Sequence, residues 1–178
     1  MSALQHIRIA ALLTLLPPVG VSAQGTIPSP PLFEVHEVGV ADLQEALSRG
    51  EVTSVELVDA FMARIRAYDQ GGPALNAILT LNPDARPQAA ELDRERTEWG
   101  PRGPLHGIPV LLKDNIDMME LPTTAASYAL TRAVPADDAH IVRRLREQGA
   151  IILGKTNLHE LSIGITSLSS LDGQTLNP

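Results

Sequence analysis

The sequence predicts an α/β layered fold whose sheet strands are partly parallel, on three observations. Three apolar runs, at 77–81, 108–112 and 150–153, are too short for helices and are bounded by Gly, Pro or Asn, the signature of buried strands. Between and before them lie longer stretches with apolar residues at helical spacing. The resulting order is helix, helix, strand, helix, strand, helix, strand. Interleaving of this kind calls for crossover connections and helices packed on a sheet.

Size and charge bound what such a fold can do. The 178 residues suffice for one core, 44% are hydrophobic, and aromatics are only 3%, so the interior is built from Leu, Ile, Val and Ala. A formal net charge of −7 argues against a nucleic-acid partner, because no basic stripe is present to displace counterions. Cysteine is absent, which removes disulfides, thiolate metal sites and a cysteine nucleophile.

Residues 1–23 read as a signal peptide. Arg8 precedes the apolar run from Ile9 to Leu16, and Val21-Ser22-Ala23 offers small residues at a cleavage site. The run is shorter than the roughly 20 apolar residues that span a bilayer. No cysteine follows for lipid attachment, so the expectation is export to the periplasm or medium without a stable membrane anchor. Residues 24–40, with Pro28, Pro30 and Pro31, read as a flexible lead-in. Residues 41–178 form the folded part.

In that part, Ala41 to Arg49 carries Leu43, Ala46 and Leu47 on one helical face and stops at Gly50. Thr53 and Glu56 have capping-box spacing and open a second helix with Val55, Val58, Met62 and Ile65 on one stripe. The strand at 77–81 is followed by a polar helix from Gln88 to Trp99. Its charges, Glu91, Asp93, Arg94, Glu95, Arg96 and Glu98, read as a solvated face with i,i+4 pairing. The strand Ile108 to Leu112 delivers Lys113 at its carboxyl end, where α/β sheets place reactive groups. That lysine is either a solvated cap or a desolvated, functional amine, and pattern alone leaves both open. A small-residue loop, Pro122 to Ser127, comes next. Asp137 or Asp138 then caps a helix with Ile141, Val142 and Leu145 facing inward. After the strand Ala150 to Leu153, Asn157 to Ile163 reads as a short helix and Ser167 to Pro178 as a polar loop.

Gly149 to Thr156, GAIILGKT, fits the letters of a phosphate-binding loop, but the four residues between its glycine and Gly-Lys are themselves the strand. Lys155 is accordingly read as a strand-end residue. His36, His106, His140 and His159 include no i,i+4 pair with carboxylate company, so no metal is expected. No Gly-x-Ser-x-Gly elbow is present.

The segment Gly103 to Asn115, GPLHGIPVLLKDN, resembles the lysine segment of the amidase signature family. Gly149 to Asn157, Glu160 and Gly173 to Pro178 are similar to the segments downstream of that lysine in the family, in the same order. The resemblance runs from about Val52 to Pro178. It implies an α/β/α sandwich around a mixed sheet, incomplete in this chain, and hydrolysis of a C–N amide bond in a small amide or peptide-amide substrate with no cofactor. The family's triad is a nucleophilic serine, a second serine on a cis peptide bond, and a lysine that Lys113 matches. Such a lysine must be neutral to accept a proton, which requires desolvation, here expected from Ile108 to Leu112. The family's Gly-Ser-rich serine loop comes after a segment like Gln174 to Pro178, so Ser162, Ser167, Ser169 and Ser170 lie upstream of it and are not promoted. Asp114, Asn115 and Thr124 are candidates for supporting hydrogen bonds. The expectation is the lysine-bearing part of a longer exported amidase, inactive alone and prone to associate through open strand edges. Alternatives are a non-catalytic truncated module and an amidotransferase-type subunit.

Overall fold

The computed structural model describes residues 33–178; the signal peptide expected at 1–23 and most of the lead-in expected at 24–40 lie outside them. The described end of the lead-in is not a free tether. Val35 is buried, and Phe33 and Val38 pack beside it against the first helices.

Helix α1 (Val40–Arg49) buries Leu43, Ala46 and Leu47 and ends at Gly50, whose φ of 67° is the left-handed value that closes a helix. Helix α2 (Ser54–Tyr68) starts on the expected capping box. Thr53 Oγ1 accepts from the Glu56 amide at 3.1 Å, and Glu56 Oε2 accepts from the Thr53 amide at 2.8 Å. Strand β1 (Ile78–Leu81) leads into α3 (Ala85–Trp99), which begins three residues before the polar stretch suggests. Strand β2 (Pro109–Lys113), helix α4 (His140–Glu147) and strand β3 (Ile151–Thr156) complete the main body.

The three strands form one mixed sheet in the order β1-β3-β2, with β2 parallel and β1 antiparallel to β3. Helices cover both faces. Ile151 and Leu153 pack with Val58, Ala85, Ala89 and Leu92 of α2 and α3, whereas Ile152 packs with Val142 of α4 and with Leu112, Met118 and Leu121. This is an α/β/α arrangement around a mixed sheet, incomplete in that the sheet has three strands and two open edges among the described residues.

The register of β3 slips on both sides, between Ile78 and Thr80 of β1 and between Val110 and Leu111 of β2. Gly154 sits at this irregularity because a Cβ there would lie 2.3 Å from the Thr80 carbonyl oxygen. The slip also breaks strict alternation. Lys155 would otherwise share a face with Ile151 and Leu153, but it points to the side of Ile152.

Three local expectations are corrected. Asn157 to Ile163 is not an α-helix: only Glu160–Ser162 forms a 3-10 turn, and Leu161 and Ser162 take φ of 55° and 60°. Neither Asp137 nor Asp138 caps α4; its N-cap is Ala139, and Ile141 is exposed while Val142 is buried. Residues 167–178 contain a small hairpin of β4 (Leu168–Ser169) and β5 (Gly173–Gln174). Among the described residues no helix is long and apolar enough to cross a membrane.

Candidate active site

Parallel pairing of β2 with β3 brings both carboxyl ends to the same end of the sheet, with Lys113 opposite Thr156. Two loops converge there, 114–127 from β2 and 157–170 from β3. They are tied by backbone and side chains: Leu161 N donates to Ala125 O at 2.8 Å, and Asn115 Nδ2 to Ser162 Oγ at 3.0 Å.

Lys113 is exposed, and its ammonium has no hydrogen-bond or ion-pair partner among the described residues. The desolvation expected from Ile108 to Leu112 is therefore not supplied by them. Alternation along β2 explains this, since Leu112 and Asp114 turn inward and Lys113 between them turns out.

The sealed amine is Lys155, next to last in β3. It is 0% exposed and meets Asp114, itself 1% exposed, at 3.0 Å. Its ammonium also donates to Pro122 O at 3.2 Å and Thr123 Oγ1 at 3.3 Å, so all three donors have acceptors. Asp114 is equally saturated. Oδ2 accepts from the Thr124 hydroxyl, from Thr124 N at 3.1 Å and from Ala126 N at 3.5 Å. Asp114, Asn115 and Thr124 all make hydrogen bonds at this end of the sheet, bonds that turn-forming duties explain as well as support of a site does. The burial of Lys155 is not signalled by the GAIILGKT pattern that contains it.

A second polar group flanks the pair. Glu160 Oε1 accepts from Ser127 Oγ at 2.6 Å, and Oε2 from Ser170 N at 3.1 Å. The Ser127 and Ser170 hydrogen bonds favour the ionised form and hold the Glu160 carboxyl below the usual carboxylate range. Ser170 Oγ accepts from Tyr128 N at 3.1 Å. None of Ser162, Ser167, Ser169 or Ser170 bonds Lys113. Among the described residues no three His, Asp or Glu side chains converge to hold a metal.

A family model described as Amidase matches residues 56–178. The chain is 43% identical over 145 residues to a glutamyl-tRNA(Gln) amidotransferase subunit from Roseiflexus sp. (strain RS-1), covering 81% of this chain and 29% of that protein. It also resembles the native peptide amidase from Stenotrophomonas maltophilia, with TM-score 0.75 and 50% identity over 79% of this chain and 30% of that one. The peptide amidase PAM in complex with the competitive inhibitor chymostatin gives TM-score 0.77 at 50% identity, covering 80% and 30%. The chain thus spans about 30% of the length of these relatives.

Proposed function

The chain belongs to the amidase family, and from that premise we propose that it carries the proton-accepting lysine, Lys113, of an enzyme that hydrolyses C–N amide bonds. The observation that supports this most directly is the position of Lys113 at the carboxyl end of a strand parallel to its neighbour, where two loops meet. Both catalytic serines come from sequence beyond Pro178 in this reading.

The chemistry runs in two halves. Uncharged Lys113 accepts a proton relayed through the bridging serine, and the nucleophilic serine oxygen bonds to the amide carbon. The carbonyl π pair moves to oxygen, where backbone N–H groups stabilise the charge. Collapse breaks the C–N bond, with the proton returned to the departing nitrogen. Water then attacks the ester along the same relay and frees the acid. A neutral lysine requires loss of water around it, so the remainder of the enzyme must cover the end of β2.

Peptide-type carboxamides are the proposed substrates, supported by the resemblance to peptide amidases. The test is Lys113→Ala in the complete protein, read as ammonia release from an amidated dipeptide. The expected loss is about 10²–10⁴-fold in kcat, the range typical of an acid–base group. Unchanged hydrolysis would remove Lys113 from the chemistry, and ligand binding without any hydrolysis by the unaltered protein would favour a non-catalytic module.

The 43% identity to an amidotransferase subunit favours a second reading, delivery of ammonia to an acylated RNA in a larger complex. The acidic balance of the chain, net −7, weighs against direct contact with that RNA. Hydrolysis of a peptide amide by the protein without partners separates the two. Export is part of the proposal, supported by Arg8, the Ile9–Leu16 run and Val21-Ser22-Ala23. A mature product whose amino-terminal residue is Gln24 is the result that supports it.

A further inference from the structure

The buried Asp114–Lys155 pair has no place in the hydrolytic relay, yet it holds the two most deeply sequestered charges at this end of the sheet. Burying a pair of charges is a poor way to gain stability, because the desolvation penalty offsets the mutual attraction, and apolar replacements of similar volume often serve as well. Its value is better sought in what it fixes.

Asp114 directly follows Lys113 and is bonded through every polar atom it has. Its amide donates to Thr156 O at 3.2 Å and its carbonyl accepts from Ala125 N at 2.9 Å. One carboxylate oxygen faces Lys155 of β3, and the other gathers Thr124 and the Ala126 amide. The loop so gathered is under strain. Ala125 and Ala126 take consecutive φ values of 49° and 55°, a region that alanine avoids because of its Cβ. Backbone in that state persists only where its surroundings over-determine it. Here the Asp114 carbonyl takes Ala125 N, and its carboxylate takes Ala126 N and orients the Thr124 hydroxyl, whose oxygen accepts from Ala126 N at 3.0 Å. The strained stretch in turn holds the second loop, through Ala125 O and Leu161 N.

We propose that Asp114 and Lys155 are positioning residues: the pair clamps the strained 124–126 loop to β3 and thereby fixes where the backbone of Lys113 ends and where both loops stand around it. The proposal rests on the amidase reading for its consequence in catalysis, though not for the clamp itself. Neither residue touches the reacting atoms.

The experiment uses the complete protein and four variants: Asp114→Asn, Lys155→Met, the double variant carrying both, and Lys113→Ala. Each single change leaves an unmatched group beside the other partner, so both are expected to lower Tm. The double variant removes the orphaned cation and is expected to recover most of that loss. Asparagine, however, keeps one uncharged accepting oxygen where the carboxylate had two. The bonds from Thr124 N, the Thr124 hydroxyl and Ala126 N therefore lose their charge assistance, and Ala126 N falls back on Thr124 Oγ1 at 3.0 Å. The double variant is therefore expected to exchange the Ala125, Ala126 and Leu161 amides at least about 10-fold faster than the parent. Its kcat is expected to stay at least about 10-fold low, with KM within about threefold, the pattern of an interaction that matters in the transition state. A double variant with parental Tm, parental exchange and parental kcat would make the pair a structural filler and overturn the proposal. So would low kcat with parental exchange, since the loop would then not be the route. Lys113→Ala should lower kcat by about 10²–10⁴-fold and leave the three amides as protected as in the parent. If the unaltered protein hydrolyses no amide, the amidase reading fails, and exchange alone still decides whether the clamp exists.

Discussion

Lys113 and Lys155 differ by where their strands turn them, not by chemistry. Lys155 pairs across the sheet with Leu112, one residue before Lys113, yet one amine is sealed with a carboxylate and the other faces outward. A lysine meant to work uncharged needs water removed without an anion beside it, since an adjacent carboxylate favours the ammonium form. Lys155 already spends its donors on Asp114, Pro122 and Thr123, whereas Lys113 has no such partner among the described residues. Glu160 carries the pH response of this region. Its folded-state value is lowered by the hydroxyl of Ser127 and the contacts of Ser170. A lowered carboxylate contributes stability that is present above its unfolded value, about 4.3, and is lost as pH falls through the folded value. The 160–170 loop is therefore expected to hold at neutral pH and to loosen only once the pH has fallen below the unfolded carboxylate value. Amide exchange at Ser170 checks this. Glu160→Gln should loosen the loop at neutral pH and flatten the acid response, and an unchanged acid response in that variant would assign it to another group.

At the level of elements, the amino terminus of α2 shows what local sequence reveals and what it hides. The Thr53–Glu56 capping box is legible because its partners are three residues apart. The second cap is not. Asp93, on the face of α3 read as solvated, accepts from Ser54 N at 2.7 Å and Val55 N at 3.1 Å, so a carboxylate from one helix closes the positive end of another. Arg96 on the same helix reaches the His106 carbonyl at 2.7 Å. Charge periodicity alone cannot separate such residues from Glu91 and Arg94, which pair with each other at the surface. The short helix expected at 157–163 failed for a related reason. The Leu161 amide is claimed by Ala125, from a loop more than thirty residues away, and the chain bends into positive φ to reach it. Strands and long amphipathic helices were readable, then, because their signal repeats locally, whereas the contacts that shape the site come from distant sequence. Thr53→Ala is expected to cost about 1 kcal/mol. Asp93→Ala should cost about 1.5–3 kcal/mol, because it removes two hydrogen bonds to a charged acceptor. Urea denaturation of the complete protein measures both, and a smaller loss for Asp93→Ala than for Thr53→Ala would show that solvent replaces the inter-helix cap.

For the whole molecule, exposed apolar side chains lie on loops, at helix ends and on the sheet edges. Strands β1 and β2 are those edges, with Leu81 and Leu111 each 38% exposed. Beside them lies a cavity of about 480 Å³, lined by Phe61, Ile65, Leu75, Ile78, Leu111 and Leu153 among others. Ile163 and Ile165 stand out from the second loop at 80% and 99% exposure. Leaving one such side chain uncovered forgoes roughly 1.5–3 kcal/mol, against a total stability of about 5–15 kcal/mol for an ordinary domain. A few of them together rival the whole margin, so the 178-residue polypeptide by itself is expected to cover this surface with further copies. Unpaired edge strands offer the hydrogen-bonding groups for it. Sedimentation of the isolated polypeptide should show concentration-dependent association and no amide hydrolysis. Leu111→Lys places a charge on the open β2 edge and should shift the distribution toward monomer, while Lys113→Ala, further along the same strand but already polar and outward, should not. A monodisperse monomer at high concentration with Leu111 intact would mean that the edges are guarded in some other way, and the apolar cavity would then be a built feature of this chain instead of a seam.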